Sequence, residues 1–152
     1  FTGHDAYFMR HGYRLPDNDC VCVAPGTVAA KTRPISTLPV RSFITSVAAG
    51  DVLTVDRVHE LQGIAFDGGF GLTSVDVSID GGVTWRASNL GEDLGRFSFR
   101  QWRLPVTFAT RGEMILMVRA SNKRGEQQTV NANWNPGGYQ RQVIEKTPVT
   151  IA

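Results

Sequence analysis

The stretch Val75-Asp76-Val77-Ser78-Ile79-Asp80-Gly81-Gly82-Val83-Thr84-Trp85 constrains this chain more than any other. Successive side chains on a strand point to opposite faces, so Val75, Val77 and Ile79 share one face and Asp76, Ser78 and Asp80 the other. Asp80-Gly81-Gly82 supplies the small residues that a tight reversal tolerates. Val83, Thr84 and Trp85 then restart a strand. The pattern predicts a β-hairpin with one buried and one wet face, with Trp85 large enough to anchor a core.

The flanking chain reads the same way. Ser42 to Val47 alternates. Val58 to Phe66 is a strand that stops at Asp67-Gly68-Gly69-Phe70-Gly71. Trp102, Leu104 and Val106 recur with period two, and Pro105, which lacks an N–H, sends that strand to a sheet edge. Met114, Leu116 and Val118 alternate with Ile115, Met117 and Arg119, as in a central strand covered on both faces for part of its length. Asn122-Lys123-Arg124-Gly125 is a turn, and Gln142 to Ile151 is the last strand. About seven short strands with regular turn signals and no amphipathic helix predict an all-β immunoglobulin-like sandwich. No suitably spaced cysteine pair supplies an inter-sheet disulfide, so Trp85, Trp102 and the aliphatic faces must carry the core.

Residues 1–40 read differently, as an extended arm ahead of a domain at 41–152. Leu15 to Asp19 and Pro25-Gly26 are turns, and Pro34 and Pro39 prevent regular structure between them. His4 to Arg14 reads as the ragged end of a helix or a loop. The apolar residues Tyr7, Phe8, Met9, Tyr13, Val21 and Val23 give the arm something to bury. They lie against a neighbouring domain or over the chain's own sandwich. The first residue is Phe1 rather than Met, so the sequence reads as processed, cleaved or cut from a longer chain. Cys20 and Cys22 are the only cysteines. A bond across so short a loop is strained, and two thiols cannot complete a zinc site, so two unpaired thiols are expected.

Composition excludes several function classes. A formal charge of +2 with no Lys/Arg run argues against nucleic acid as a partner. No apolar run approaches the roughly 20 residues of a membrane-spanning helix. His4, His11 and His59 form no close metal-ligand pattern, so no metal site is expected. There is no nucleophile elbow, phosphate loop or dinucleotide fingerprint.

Asn131-Ala132-Asn133-Trp134-Asn135-Pro136-Gly137-Gly138-Tyr139-Gln140-Arg141 is the most unusual stretch. Loops on a rigid scaffold are where function concentrates. The guanidinium fork of Arg141, beside amides and aromatics, suits a small oxyanion. The same residues also suit a structured loop in which Asn133 and Asn135 cap backbone groups and Trp134 closes one end of the sandwich.

Three stretches together carry a resemblance. They are Tyr13-Arg14-Leu15-Pro16-Asp17-Asn18 through Cys22-Val23-Ala24-Pro25-Gly26-Thr27 to Val40-Arg41-Ser42-Phe43-Ile44-Thr45, the hairpin stretch, and the ending from Asn133-Trp134-Asn135-Pro136-Gly137-Gly138-Tyr139 to Arg141 and Val143. The chain resembles the C-terminal dimerisation domain, with its preceding linker, of the sulfite oxidase family of molybdenum oxidoreductases, of the bacterial sulfite dehydrogenase type. The resemblance implies a homodimer formed through the sandwich, and a parent enzyme that oxidises sulfite to sulfate at molybdenum held by molybdopterin and one cysteine thiolate. The molybdopterin domain is missing from this sequence, so no cofactor is expected to bind here and the chain alone is expected to be inactive. It further implies that Arg141 contributes to the substrate anion pocket, with Asn133, Trp134, Asn135 and Tyr139 as the surrounding loop. A cytochrome c as electron acceptor and a periplasmic location follow from the same resemblance. A free-standing immunoglobulin-like binding module is the competing reading, and it gives no reason for a proline-broken apolar arm. A relative acting on another sulfur substrate is a third.

Overall fold

The computed structural model describes residues 6–152. His4 lies outside them. A single turn of π-helix at Phe8–Gly12 is followed by eleven strands. In chain order these are β1 (Arg14–Pro16), β2 (Thr32–Pro34), β3 (Arg41–Ile44), β4 (Val52–Leu53), β5 (Val58–Phe66), β6 (Leu72–Ser78), β7 (Arg86–Ala87), β8 (Asn89–Leu90), β9 (Arg100–Thr107), β10 (Gly112–Asn122) and β11 (Lys146–Ile151). A four-stranded sheet, ordered β3-β5-β9-β8, faces a five-stranded sheet, ordered β4-β11-β10-β6-β7. This is the immunoglobulin-like β-sandwich that the strand pattern predicts. β1 and β2 form a separate antiparallel pair in the arm.

The core follows from alternation. Leu61 and Ala65 of β5 and Trp102, Leu104 and Val106 of β9 point inward from one sheet. Val75, Val77, Leu116, Val118, Ala120, Val149 and Ile151 meet them from the other. Trp102 is fully buried, and its ring lies directly on Gly63 of the neighbouring strand. A side chain at position 63 would collide with that ring and with the Phe43 carbonyl, which is why glycine interrupts the apolar series of β5. β10 is central, between β6 and β11, and Leu116, Met117 and Val118 are buried in succession. At Pro105, β9 pairs with β5 on one side only, since β8 reaches no further than Arg103.

The hairpin departs from the expected tight reversal. β6 ends at Ser78 and the return strand begins only at Arg86, pairing with Val77. Ser78 and Asp80 divert the backbone first. Ser78 Oγ accepts from the Gly82 N–H at 2.8 Å, and the Asp80 carboxylate accepts the N–H and hydroxyl of Thr84. These local bonds compete with the strand ladder. Gly81 and Gly82, at φ 72° and 95°, supply the left-handed turn. The resulting loop folds over the outer face of β10, where the Gly81 N–H donates to the Ile115 carbonyl at 3.0 Å. Ser78 is thereby buried on the face expected to be wet. Trp85 moves with the loop. It is half-buried on the outer face, its Nε1–H donates to the Gly82 carbonyl at 3.1 Å, and the Arg119 guanidinium lies 4.1 Å from its ring centroid. The expectation that Trp85 anchors the core is therefore corrected. Trp102 does so.

The last strand is also shorter than expected. Val143 makes an isolated bridge to Thr129, and the ladder proper starts at Lys146.

Candidate functional site

The arm and the Asn131–Arg141 loop fold onto each other at one end of the sandwich. Asn133 Nδ2 donates to the Cys20 carbonyl at 2.8 Å, and the Val23 N–H donates to the Trp134 carbonyl at 2.9 Å. Gln140 Nε2 donates to the Thr37 carbonyl. The Tyr13 and Tyr139 rings are 5.5 Å apart. Tyr13 thus has a ring partner within this chain, although it stays 48% exposed, and Tyr7 and Phe8 are exposed as well.

Asn135 builds the loop from inside. It is 5% exposed, and its side chain both donates to the Tyr139 carbonyl at 2.8 Å and accepts the Tyr139 N–H at 3.0 Å. That double bond to one residue closes the Pro136–Gly138 turn. Below it, Gln128 is buried and bridges strand and loop. Its Oε1 accepts the Ala120 N–H at 3.0 Å, and its Nε2 donates to the Val143 carbonyl at 3.0 Å. Both amides act as structural clamps, Asn135 within the loop and Gln128 outside it.

Between arm and loop lies a cavity of about 320 Å³. Asn133, Asn135 and Tyr139 line it, together with Cys20, Arg33 and Arg124. Trp134 and Arg141 are not among its walls. Arg124 stacks over Phe70, 4.5 Å from the ring centroid, and lies 3.6 Å from Glu126. Arg33 lies 3.8 Å from Asp17.

Arg141 stands outside that cavity in a second cluster. Its Nε donates to Glu145 Oε1 at 3.1 Å and an Nη to Glu145 Oε2 at 3.4 Å. Arg41 Nη2 reaches the same Oε1 at 2.9 Å. The hydrogen bond to Glu145, and then its charge, push the Arg141 pKa up. Arg41 lies 4.4 Å from the centroid of Phe43, which together with Phe66 faces outward from the four-stranded sheet. Two guanidiniums share one carboxylate, so the cluster keeps one unit of positive charge, and the Arg141 side chain is 56% exposed. Arg41 and Glu145 are members that the sequence reading did not name. Glu145 carried a faint signal, four residues after Arg141, but that spacing has a fixed geometric meaning only on a helix.

Cys20 and Cys22 are bonded to each other, with Cα atoms 5.1 Å apart. This corrects the expectation of two free thiols. Val21, at φ 53°, turns the backbone back on itself and brings the two Cα atoms within bonding range. Asn18 holds the turn, donating to the Cys22 carbonyl at 2.8 Å and accepting the Cys22 N–H at 3.2 Å.

The two facing sheets, with loops gathered at one end around an arm, define an immunoglobulin-like module. A family described as the Mo-co oxidoreductase dimerisation domain matches residues 32–150, and this chain belongs to it. Sulfite oxidase of Gallus gallus is 33% identical over 125 residues, covering 77% of this chain and 27% of that protein. The mitochondrial sulfite oxidase of Macaca fascicularis is 32% identical over 127 residues, covering 78% of this chain and 23% of that protein. The chain therefore spans about a quarter of the length of these curated relatives. Among solved structures, the sulfane dehydrogenase SoxCD of Paracoccus pantotrophus superposes with a TM-score of 0.69 at 20% identity, over 93% of this chain and 35% of that one. At that identity the likeness is one of fold.

The family name raises the question of a molybdenum cofactor. Among the described residues, no group of three or more His, Cys, Asp or Glu side chains is placed to hold a metal ion. The two sulfurs are bonded to each other. This donor set does not fit a molybdenum cradle.

Proposed function

We propose that this chain is the self-associating part of a molybdenum-dependent enzyme that oxidises sulfite to sulfate. A separate molybdopterin domain of the same enzyme supplies the cofactor and the thiolate ligand. In this reading residues 1–40 are the linker from that domain and residues 41–152 form the homodimer. The electron acceptor is a cytochrome c, and the enzyme works in the periplasm.

Arg141 is the anion-binding contribution of the dimerisation part. The observation that carries this role is the Arg41–Glu145–Arg141 cluster. Glu145 holds the guanidinium of Arg141 in one orientation, and Arg41 leaves the cluster net positive. A fixed positive fork is suited to a tetrahedral or pyramidal sulfur oxyanion.

The test is made in the full enzyme. Arg141→Met should raise KM for sulfite by about tenfold, about 1.4 kcal/mol of lost binding, with molybdenum content and kcat nearly intact. An unchanged KM would remove Arg141 from the site. Sedimentation equilibrium of the chain should give twice the monomer mass. A monomer across the accessible concentration range would remove self-association.

A further inference from the structure

The disulfide contributes nothing to the core. The packed cluster between the sheets contains no residue before Val40, whereas Cys20 and Cys22 shape a single turn of the arm. That turn is one of the places where the arm grips the rest of the molecule, beside the Thr37–Gln140 and Tyr13–Tyr139 contacts. Its Cys20 carbonyl receives Asn133 Nδ2, and Val23, one residue past Cys22, donates to the Trp134 carbonyl. Val21 sits in the left-handed region, a conformation that a β-branched residue holds only when its surroundings impose it. Asn18 and the disulfide impose it together. Cys20 is exposed and forms part of the cavity wall, whereas Cys22 is half-buried and does not.

We propose that Cys20–Cys22 is a thiol–disulfide exchange site for a dithiol reductant, and that opening it loosens the latch between the arm and the Asn131–Arg141 loop. The attacking thiolate of the dithiol reaches Cys20 Sγ from the cavity. A mixed disulfide forms at Cys20, the Cys20–Cys22 bond breaks, and Cys22 leaves as a thiolate that takes a proton from water. The second thiol of the reductant then attacks its own sulfur in the mixed disulfide and releases Cys20. In sum the reductant is oxidised to a disulfide, and the pair gains two electrons and two protons. The cavity lining sets two arginines, Arg33 and Arg124, against two acids, Asp19 and Glu126, so access rather than charge selects the sulfur that is attacked. Only one residue separates the two cysteines, so reclosure is intramolecular and the pair cycles rather than scrambles. With the bond open, Val21 is free to leave the left-handed region, and the Cys20 carbonyl leaves Asn133. The exchange is independent of the sulfite reading.

The experiment uses the whole chain with dithiothreitol as the dithiol, read by alkylation, intact mass and far-UV circular dichroism. The air-oxidised chain should show no alkylatable thiol. The reduced chain should show two, with the sandwich signal unchanged. Tryptic cleavage after Lys31, on the exposed arm, should accelerate about tenfold on reduction, because proteolysis tracks the open population. In single variants, the Cys20 thiol of Cys22→Ser should react with an aromatic disulfide about tenfold faster than the Cys22 thiol of Cys20→Ser. Free thiols in the oxidised chain, or resistance to dithiothreitol until the sandwich unfolds, would overturn the exchange site. Equal or reversed reactivity would overturn attack at Cys20, and an unchanged tryptic rate would overturn the latch.

Discussion

Trp102→Ala is the substitution that most directly tests where this sandwich is held together. Trp102 is fully buried, stacked on Gly63 between the sheets. Truncating a buried large aromatic costs about 3–5 kcal/mol, as transfer energy plus the cavity left behind. One term works the other way. The indole Nε1 is buried without a hydrogen-bond partner, an unfavourable contribution of about 1–3 kcal/mol that the alanine variant escapes. Taking the lower half of that penalty, about 1–2 kcal/mol, from a central value of about 4 kcal/mol leaves a net loss of about 2–3 kcal/mol. For a domain of this size that corresponds to a fall in Tm of roughly 4–12 °C. Trp102→Phe keeps most of the ring and removes the orphaned N–H, so it should cost only about 1–2 kcal/mol. Trp85→Ala is the comparison. Trp85 is half-buried outside the core, so its loss comprises partial burial plus the Arg119 stacking of about 0.5–1 kcal/mol, in all about 1–2 kcal/mol. Urea unfolding followed by far-UV circular dichroism gives all three values without relying on tryptophan emission. A Trp85→Ala loss equal to that of Trp102→Ala would refute the assignment of the anchor.

Two further outcomes follow from local geometry. Gly63→Ala should cost roughly 3 kcal/mol, the upper end for overpacking, because the Phe43 carbonyl cannot move without breaking the β3–β5 ladder. In the Trp102→Ala background part of that cost should vanish, which a double-mutant cycle in urea would show. Asp80 tests the loop by pH. Hydrogen bonds, first from the Thr84 side chain, then from the Thr84 backbone, then from Ser78, hold its carboxyl well below the usual range. A lowered folded-state pKa stabilises above the unfolded value of about 3.9 and ceases to do so as pH falls beneath it. The Tm gap between the native chain and Asp80→Asn should be widest near neutrality and shrink in acid. A gap independent of pH would mean that the charge of Asp80 does not matter.

What could be read before the structure was local. The alternation of Val75 and Val77, the glycine stop after Phe66, and the two-sided burial of Leu116 to Val118 need only neighbouring residues to be legible. What could not be read depends on distant partners. Strands β4, β7 and β8 have two residues each and exist because a longer strand templates them. Trp85 and Trp102 look alike in sequence, and only the capture of backbone amides by Ser78 and Asp80 moves the first out of the core. The cysteine pairing turned on one backbone angle, at Val21, that no residue preference would suggest. Arg141 was visible as a cation in a polar loop, but its partners Glu145 and Arg41 are brought together by the fold, one of them from across the chain.

The interlock of arm and loop also has a consequence for how the molecule is made. Its contacts join Cys20 to Asn133 and Thr37 to Gln140, separations of 113 and 103 residues. Contacts this distant in sequence close late, because the intervening chain must first be ordered. Within this sequence the arm is made before the loop that seats it. Within this chain, docking of the arm reports that the sandwich beneath it is complete.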